Sequence, residues 1–374
     1  MKKVPISPVD ALFSNGSYPI EFLFAYKGGV PTSKIRRALR HLAPAFWPVF
    51  GEYREGVISF DRYKEEDFFD EEPVGHALDQ AEVAGGGTEV LSRFGQKELR
   101  KLFFLKATRF SDGLVLVPKM NHVAGDGCSY FLFLSALAAF TRAAFLPFQS
   151  PFIKAMFKPH HRRTGLGEFS FPAGGPGPVG GGGRLTVESL EIPKREVQAL
   201  VREAAVSDNL RVSSNDILSA MVVKKLAGIR DDSAGVGFKL TIPIDVRGQV
   251  ENYGRRFFGN GIMLHTMELG RLPSADSPIK ETAARIRRSM PQVSRESYIR
   301  YLAELERMIA EKKWDEFRPY DPDKGCLVTN LSKLPAERLD FGMGEPHAIV
   351  PLTVEKNSVG ILARKDHYVL RYAY

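Results

Sequence analysis

Cysteine is nearly absent from this chain, with Cys128 and Cys326 alone among 374 residues. Two thiols build no disulfide framework and neither belongs to a Cys-x-x-Cys pair, so the expectation is buried free thiols in a reducing compartment. Long apolar runs are lacking too. The longest, Tyr130 to Phe140, stops at Thr141-Arg142, short of the ~18–20 residues that span a bilayer, and no membrane span is expected. Lys2 and Lys3 are followed by Pro5, Pro8 and Asp10, which interrupt the apolar core of a signal peptide; the expected location is cytoplasmic. Concentrated charge is missing as well. The net charge is +8, but the basic residues are scattered over Lys34-Ile-Arg36-Arg37, Arg162-Arg163, Arg255-Arg256 and Arg285-Ile-Arg287-Arg288. None forms a nucleic-acid-binding arm and no nucleic-acid motif accompanies them, whereas a basic balance suits a phosphate-bearing ligand. No internal repeat is visible, and no Ser or Cys nucleophile elbow.

What is present is an ordinary globular composition, 44% apolar and 26% charged, at a length that suggests about two domains. Residues 147–183 are rich in Gly and Pro and end Ala173-Gly-Gly-Pro-Gly-Pro-Val-Gly-Gly-Gly-Gly183. Such a stretch forms no packed element, so it reads as a crossover linker between an N-terminal domain, 1–146, and a C-terminal domain, 184–374. In the first half, Ser33 to Ala45 has helical spacing with Ile35, Leu39 and Leu42 on one side. Val57 to Phe60, Lys101 to Thr108 and Leu114 to Val123 read as strands, and a helix follows from Ser129. In the second half a strand, Arg184 to Ile192, precedes a helix from Lys194. Ser213-Ser214-Asn215-Asp216 has the chemistry of a helix N-cap. Further strands are expected at 238–244, 261–267, 325–330, 348–354, 359–363 and 368–374, and helices at 279–290 and 295–313. Strands and helices interleave in both halves, which makes the class α/β in two layers.

The run His122-Val-Ala-Gly-Asp126-Gly127 falls where an apolar strand ends and a helix begins. A strand end projects a side chain from a rigid element, and an imidazole of ordinary pKa ~6.5 accepts a proton near neutrality. Asp126 is placed to support the turn, and Gly127 to permit a sharp entry into the helix. Three bland readings stand beside this one. A histidine at a strand end is most often a hydrogen-bonded structural residue. His122 and Asp126 could be two metal ligands with Cys128 a third, at a spacing that matches no closed site. Asp-Gly is also a common turn pair.

The context of these residues resembles the BAHD acyltransferases, within the chloramphenicol acetyltransferase-like superfamily. His-x-x-x-Asp-Gly is one signature of that family. The other, Asp-Phe-Gly-Trp-Gly, corresponds to Asp340-Phe341-Gly342-Met343-Gly344, with Met in place of Trp. Before and between them, Ser7-Pro-Val-Asp10, Ala45-Phe-Trp-Pro-Val-Phe-Gly51, Asn215-Asp-Ile-Leu-Ser-Ala-Met, Ile244-Asp-Val-Arg247, Phe257-Phe-Gly-Asn260 and Thr329-Asn-Leu-Ser-Lys-Leu-Pro335 fall in the family's order, and with Glu345-Pro346 the resemblance runs from residue 7 to residue 346. The resemblance implies two chloramphenicol acetyltransferase-like domains with a channel between them, and transfer of an acyl group from acyl-CoA to a small alcohol or amine. It implies His122 as general base with no covalent acyl-enzyme, Thr329 as oxyanion donor, and Asp126 paired with Arg247 to hold the loop. It further implies a structural role for Asp340, Phe341, Gly342 and Gly344, and contact of Ser213, Ser214 and Asn215 with the pantetheine or phosphates, although an N-cap explains these last three equally. The expected protein is a monomer with acyl-CoA as co-substrate, no permanently bound cofactor and no metal. Two other functions stay open: an acyl donor on a carrier protein, and a binding relative that has lost turnover.

Three further signals carry little. Gly175-Pro-Gly177-Pro-Val-Gly180 formally fits a dinucleotide fingerprint, but no strand leads into it and two prolines interrupt it. Asp340-Phe-Gly342 matches a kinase triplet without the rest of a kinase. His160-His161-Arg162-Arg163 lies in the linker and reads as solvated charge.

Overall fold

The computed structural model describes residues 1–78, 83, 88–95, 101–142, 185–208, 210–229, 237–251, 253–270 and 278–374. The Gly/Pro-rich stretch 147–183, with the His160–Arg163 and Gly175–Gly180 motifs, lies outside them. Fourteen strands run through the described residues. The first half carries β1 (Lys2–Pro5), β2 (Ile20–Lys27), β3 (Glu52–Arg54), β4 (Val57–Phe60), β5 (Phe69–Pro73), β6 (Phe103–Arg109) and β7 (Gly113–Met120). The second carries β8 (Val187–Pro193), β9 (Phe238–Asp245), β10 (Ile262–Gly270), β11 (Gly325–Asn330), β12 (Ala348–Pro351), β13 (Ser358–Ala363) and β14 (His367–Ala373). They form a five-stranded sheet ordered β12-β2-β7-β6-β5, a six-stranded sheet ordered β10-β9-β11-β13-β14-β8, and a small sheet of β1, β4 and β3.

In the five-stranded sheet, β2 and β7 are buried on both faces, which is why they read as continuous apolar runs. Phe22, Phe24 and Tyr26 point into one core with Leu114, Leu116 and Met120. Leu23 and Ala25 point with Val115 and Val117 into a separate, smaller one. The helices Thr32–Leu42 and Gly127–Arg142 cover the first face through Ile35, Leu39, Phe131 and Phe133. Val90 and Phe94 of the helix Thr88–Phe94 cover the second.

In the six-stranded sheet, Leu240 and Ile242 of β9, Cys326 and Val328 of β11, Ile361 of β13 and Leu370 of β14 face one way. There they meet the helices Lys194–Asp208, Ser214–Ile229 and Ile279–Ser289. The alternate residues, Pro243, Leu327 and Thr329 among them, line a cavity instead, as the two-residue period of a strand requires. Cys326 and Cys128 are free thiols.

The sheets do not follow the halves of the chain. Strand β12, from the second half, pairs antiparallel with β2, with Val350 opposite Leu23. The helix Arg295–Ala310 places Tyr298, Leu302, Leu305 and Ile309 in the core that the first-half helices share. Among the described residues, no helix is long and apolar enough to cross a membrane.

Candidate active site

A cavity of about 290 Å³ is lined by His122, Asp126, Gly127 and Cys128 from one side and by Thr329 and Asn330 from the other sheet. Its remaining wall is mostly apolar, with Phe13, Ile20, Leu264 and Leu334 among the contributors, the character usual for small-molecule sites.

His122 opens a short 3₁₀ turn, His122–Ala124, directly after β7. The turn is capped by Asn121, whose side chain accepts from the Val123 amide at 3.0 Å. The imidazole stacks on Phe13, with ring centroids 3.8 Å apart and planes 21° apart. Burial holds its pKa below the ordinary 6.5, opposed chiefly by the charge of Asp126. The shift favours the neutral form of the ring.

Both oxygens of the Asp126 carboxylate accept hydrogen bonds from the protein. One carboxylate oxygen accepts from Arg247 Nη2 and from the Ser129 amide, at 2.9 and 3.0 Å. The other accepts from the Gly261 amide at 2.9 Å. Arg247 is similarly engaged, donating from Nε to the Phe257 carbonyl at 3.0 Å and from Nη2 to the Gly259 carbonyl at 3.0 Å. It also donates from Nη1 to Asp245 at 3.0 Å. Both side chains of the Asp126–Arg247 pair are 4% exposed. Burial works against the guanidinium, but Asp126 and Asp245 hold its pKa above the usual value. No group of three or more potential metal ligands occurs among the described residues.

The conformational demand in this loop falls on Gly125, and not on Gly127 as expected from the sequence. Gly125 has φ +158° and a Cβ there would lie 2.8 Å from Cβ of Ser129. Gly127 is the first residue of its helix, where a Cβ would meet Leu334 at 3.3 Å. Gly261 has a further reason to be glycine, since a Cβ would come within 2.9 Å of the Arg247 guanidinium.

Thr329 sits half-buried on β11, and its neighbour Asn330 donates to Asn215 at 2.7 Å. Ser213 is occupied as a helix cap. Its hydroxyl donates to the buried Asp216 at 2.7 Å and accepts from Arg287 at 2.8 Å. Ser213, Ser214 and Asn215 lie outside the cavity lining, and Asn215 reaches the cavity only through Asn330. The Asp340–Gly344 turn is also outside the lining. Asp340 accepts from the Gly342 and Gly344 amides at 2.7 and 2.9 Å, and from Arg142 at 3.1 Å. Burial opposes its charge, but these donors hold its pKa low. Phe341 is buried edge-on to Tyr26, with centroids 6.0 Å apart. Met343 packs half-buried against the same core.

Three residues join this site to which sequence reasoning gave no role: Phe13, Asp10 and Asn260. The last two stand in the quoted motifs Ser7-Pro-Val-Asp10 and Phe257-Phe-Gly-Asn260, so the signal was a motif position without a partner.

A histidine at a strand end thus stands in a cavity shared by two sheets. The Transferase family profile matches residues 88–369, and the chain belongs to that family, the BAHD acyltransferases. It is 24% identical over 264 residues to anthranilate N-benzoyltransferase protein 2 of Dianthus caryophyllus, an alignment covering 66% of this chain and 58% of that protein. The chain therefore spans a little under two thirds of that relative. It is 22% identical to piperamide synthase of Piper nigrum over 89% of this chain and 74% of that protein. The fold superposes on F. graminearum TRI101, solved with coenzyme A and deoxynivalenol, with a TM-score of 0.78 at 14% identity. That match covers 100% of this chain and 95% of TRI101.

Proposed function

We propose that this protein transfers an acyl group from acyl-CoA to the hydroxyl or amine of a small acceptor, with His122 as general base. The acceptor binds with its O–H or N–H toward His122 Nε2 and attacks the thioester carbonyl. A C–O or C–N bond forms, the proton passes to the imidazole, and the carbonyl oxygen becomes an oxyanion. The Thr329 hydroxyl donates to that oxyanion. Collapse breaks the C–S bond, and the proton on His122 goes to the departing thiolate, so that ester or amide and free CoA leave. No acyl-enzyme forms, and the neutral ring returns to its starting state.

The observation that carries this reading is the placement of His122. A half-buried imidazole stands at a strand end in a mostly apolar cavity that Thr329 of the other sheet also lines. General-base help of this kind is worth about 10²–10⁴ in rate, and holding both substrates in one cavity supplies orientation. Asp126, Arg247 and Gly127 are assigned to holding the loop, and Asp340, Phe341, Gly342 and Gly344 to bracing the second-half loop against the Gly127–Arg142 helix through Arg142. Ser213 is assigned to the helix cap, and Asn215 with Asn330 to the pantetheine arm. Asn330 lines the cavity and the Asn215 side chain fixes it.

The test is release of free thiol from a panel of acyl-CoAs, with and without amine and alcohol acceptors, in wild type and His122→Ala. Thiol release that depends on His122 is expected. Equal release by both proteins removes the base from His122. Silence from both, with no binding of CoA, moves the donor to a carrier protein or the chain to the inactive relatives.

A further inference from the structure

The cavity has two unlike ends, and the sheet that lines it gives their direction. Strands β9, β11 and β13 run parallel, with Leu327 opposite both Thr241 and Ser358, and Thr329 opposite Gly360. Asp245 and Asn330 are the last residues of β9 and β11. At that end the lining holds Asp245, Asn330 and Lys333, with Asp126 and Cys128 beside them; Cys128 Sγ lies 3.9 Å from Asp245 Oδ2. Every aspartate and lysine of the lining belongs there. At the opposite end, next to Leu327 and Ser358, the lining is Tyr18, Pro19, Pro319 and Thr353.

This second end has little for a polar ligand to bond. Its prolines carry no N–H. The Thr353 hydroxyl donates to the Pro19 carbonyl and accepts from the Glu21 amide at 3.2 Å. The Ser358 hydroxyl donates to the Glu355 carbonyl at 2.7 Å and accepts from the Glu355 amide at 3.2 Å. Tyr18 walls the end off. Its φ is +55°, a left-handed conformation uncommon for a residue with a side chain, and one that persists where the surroundings over-determine it. Its amide donates to Glu355 Oε1 at 3.2 Å. Its ring lies 5.7 Å from that of Tyr320 and edge-on to Phe13 at 6.4 Å. Tyr320 in turn donates to the Lys356 carbonyl, and Phe13 stacks on His122. The turn 353–358 thus braces a wall that stands two rings from the imidazole.

We propose that the Ser358 end receives the body of the acceptor, that this body is an uncharged apolar ring, and that Tyr18 is the specificity-determining residue that limits its length. The inference rests on the reading of the chain as a CoA-dependent transferase. A donor with phosphates and an amide-bearing arm is matched by the end that carries Lys333 and Asn330, which leaves the uncharged end to the acceptor. A polar tip on the ring would lose its water against hydroxyls whose hydrogens are already given to carbonyls. Aromatic walls favour an aromatic ring over an aliphatic one of equal area. The whole cavity, about 290 Å³, is at the foot of the ~300–1,000 Å³ range of small-molecule sites and must hold the thioester too, so its free end takes about one ring.

The test reads binding without turnover. Full-length protein saturated with free CoA, which has no acyl group to give, is titrated by ligand-observed NMR with four alcohols: 2-phenylethanol, its 4-carboxylate, 2-(2-naphthyl)ethanol and glycerol. Wild type is expected to bind 2-phenylethanol, and the carboxylate and glycerol at least about 10²-fold more weakly. The naphthyl alcohol should be excluded. Tyr18→Gly, which accepts the left-handed φ without strain, should admit the naphthyl alcohol and weaken 2-phenylethanol by about 10-fold, whereas Tyr18→Phe should keep the wild-type order. Equal binding of the carboxylate or of glycerol overturns the apolar class. A naphthyl alcohol bound as well as the phenyl one by wild type overturns the role of Tyr18, as does an unchanged order in a folded Tyr18→Gly; should that variant not fold, the two ring sizes on wild type decide. If Tyr18→Gly instead alters KM for benzoyl-CoA relative to acetyl-CoA and leaves the order of alcohols intact, the end holds the acyl group and the proposal falls. Absence of CoA binding, seen before any alcohol is added, overturns the transferase reading and this proposal with it, whereas the other adverse outcomes overturn this proposal alone.

Discussion

Burial sets the pH range over which His122 can serve as the proposed base. Because the folded pKa lies below 6.5, the neutral base form persists as pH falls past the ordinary imidazole value. The acid limb of kcat/KM is therefore expected below 6.5, and a limb at or above that value would mean that the group seen is not a buried imidazole. The linkage has the same sign. A histidine with a depressed folded pKa contributes stability that is present above the unfolded value and lost as pH falls through the folded one. Asp10, pushed up to about 6 by burial, works in the opposite sense, its contribution declining as pH rises from 3.8 toward 6. The comparison of acid limbs in wild type and Asp10→Asn separates the two groups. Across the cavity, Thr329→Val is expected to lower kcat by about 10²–10³, the worth of one oxyanion donor, with Thr329→Ser retaining most activity. Equal rates for the two variants would remove the hydroxyl from the reaction. The buried pair behaves differently, since removing one partner strands a charge. Arg247→Met is expected to destabilise by about 3–5 kcal/mol, read from urea unfolding. Asp126→Asn combined with it should cost less than the sum of the singles, because the two are in contact. His122, Asp126 and Arg247 were legible in the sequence because their spacing and order are distinctive. What the sequence concealed was the partner of each motif residue. Nothing in Ser7-Pro-Val-Asp10 points to Asn260, 250 residues away.

At the scale of elements, legibility follows the period of the pattern. The strands Val57–Phe60 and Gly325–Asn330 match their expected spans, and the helix Thr32–Leu42 is found where Ser33 to Ala45 is expected but ends three residues sooner, since each carries a one-sided or β-branched apolar signature bounded by turn residues. Strand β2 was missed although it sits between β12 and β7 in the middle of its sheet. Its residues serve two cores at once, Phe22, Phe24 and Tyr26 on one face and Leu23 and Ala25 on the other, so it shows no alternation, and it lacks the valines that mark the equally buried β7 as a strand. β12 was expected as a strand, but its place was not, because a four-residue strand says nothing of its neighbour. Its pairing with β2 limits how far the proposed domain 1–146 is self-sufficient. A fragment of residues 1–146 lacks both β12 and the helix Arg295–Ala310, leaving an open edge on β2 and an uncovered part of the first core. It is expected to show neither near-UV circular dichroism nor a cooperative melt, whereas coexpression with 184–374 should recover both. A fragment that melts cooperatively alone would place the domain boundary where the Gly/Pro stretch suggests.

For the whole molecule the question is what joins the two sheets. The cavity draws His122 from the end of one and Thr329 from the middle of the other. Across this junction Arg247 reaches Asp126, and Asn260 reaches Asp10 and His122. A donor bound between the sheets adds contacts to both, and binding to the folded state alone stabilises by RT ln(1 + [L]/Kd), about 2.7 kcal/mol at about 100 times Kd. Free CoA or an acyl-CoA should therefore raise the melting temperature of the whole chain in one transition, with the shift growing with concentration. The shift should survive in His122→Ala, because the base contributes to the reaction and little to holding the donor. It should shrink when Asn330, at the cavity wall, is replaced by Leu. A shift seen only with an acylated carrier protein, and with no CoA species up to millimolar concentration, would reassign the donor while leaving the base in place. No shift with either, in a protein that still melts cooperatively, would mean that the cavity has kept its shape and lost its donor.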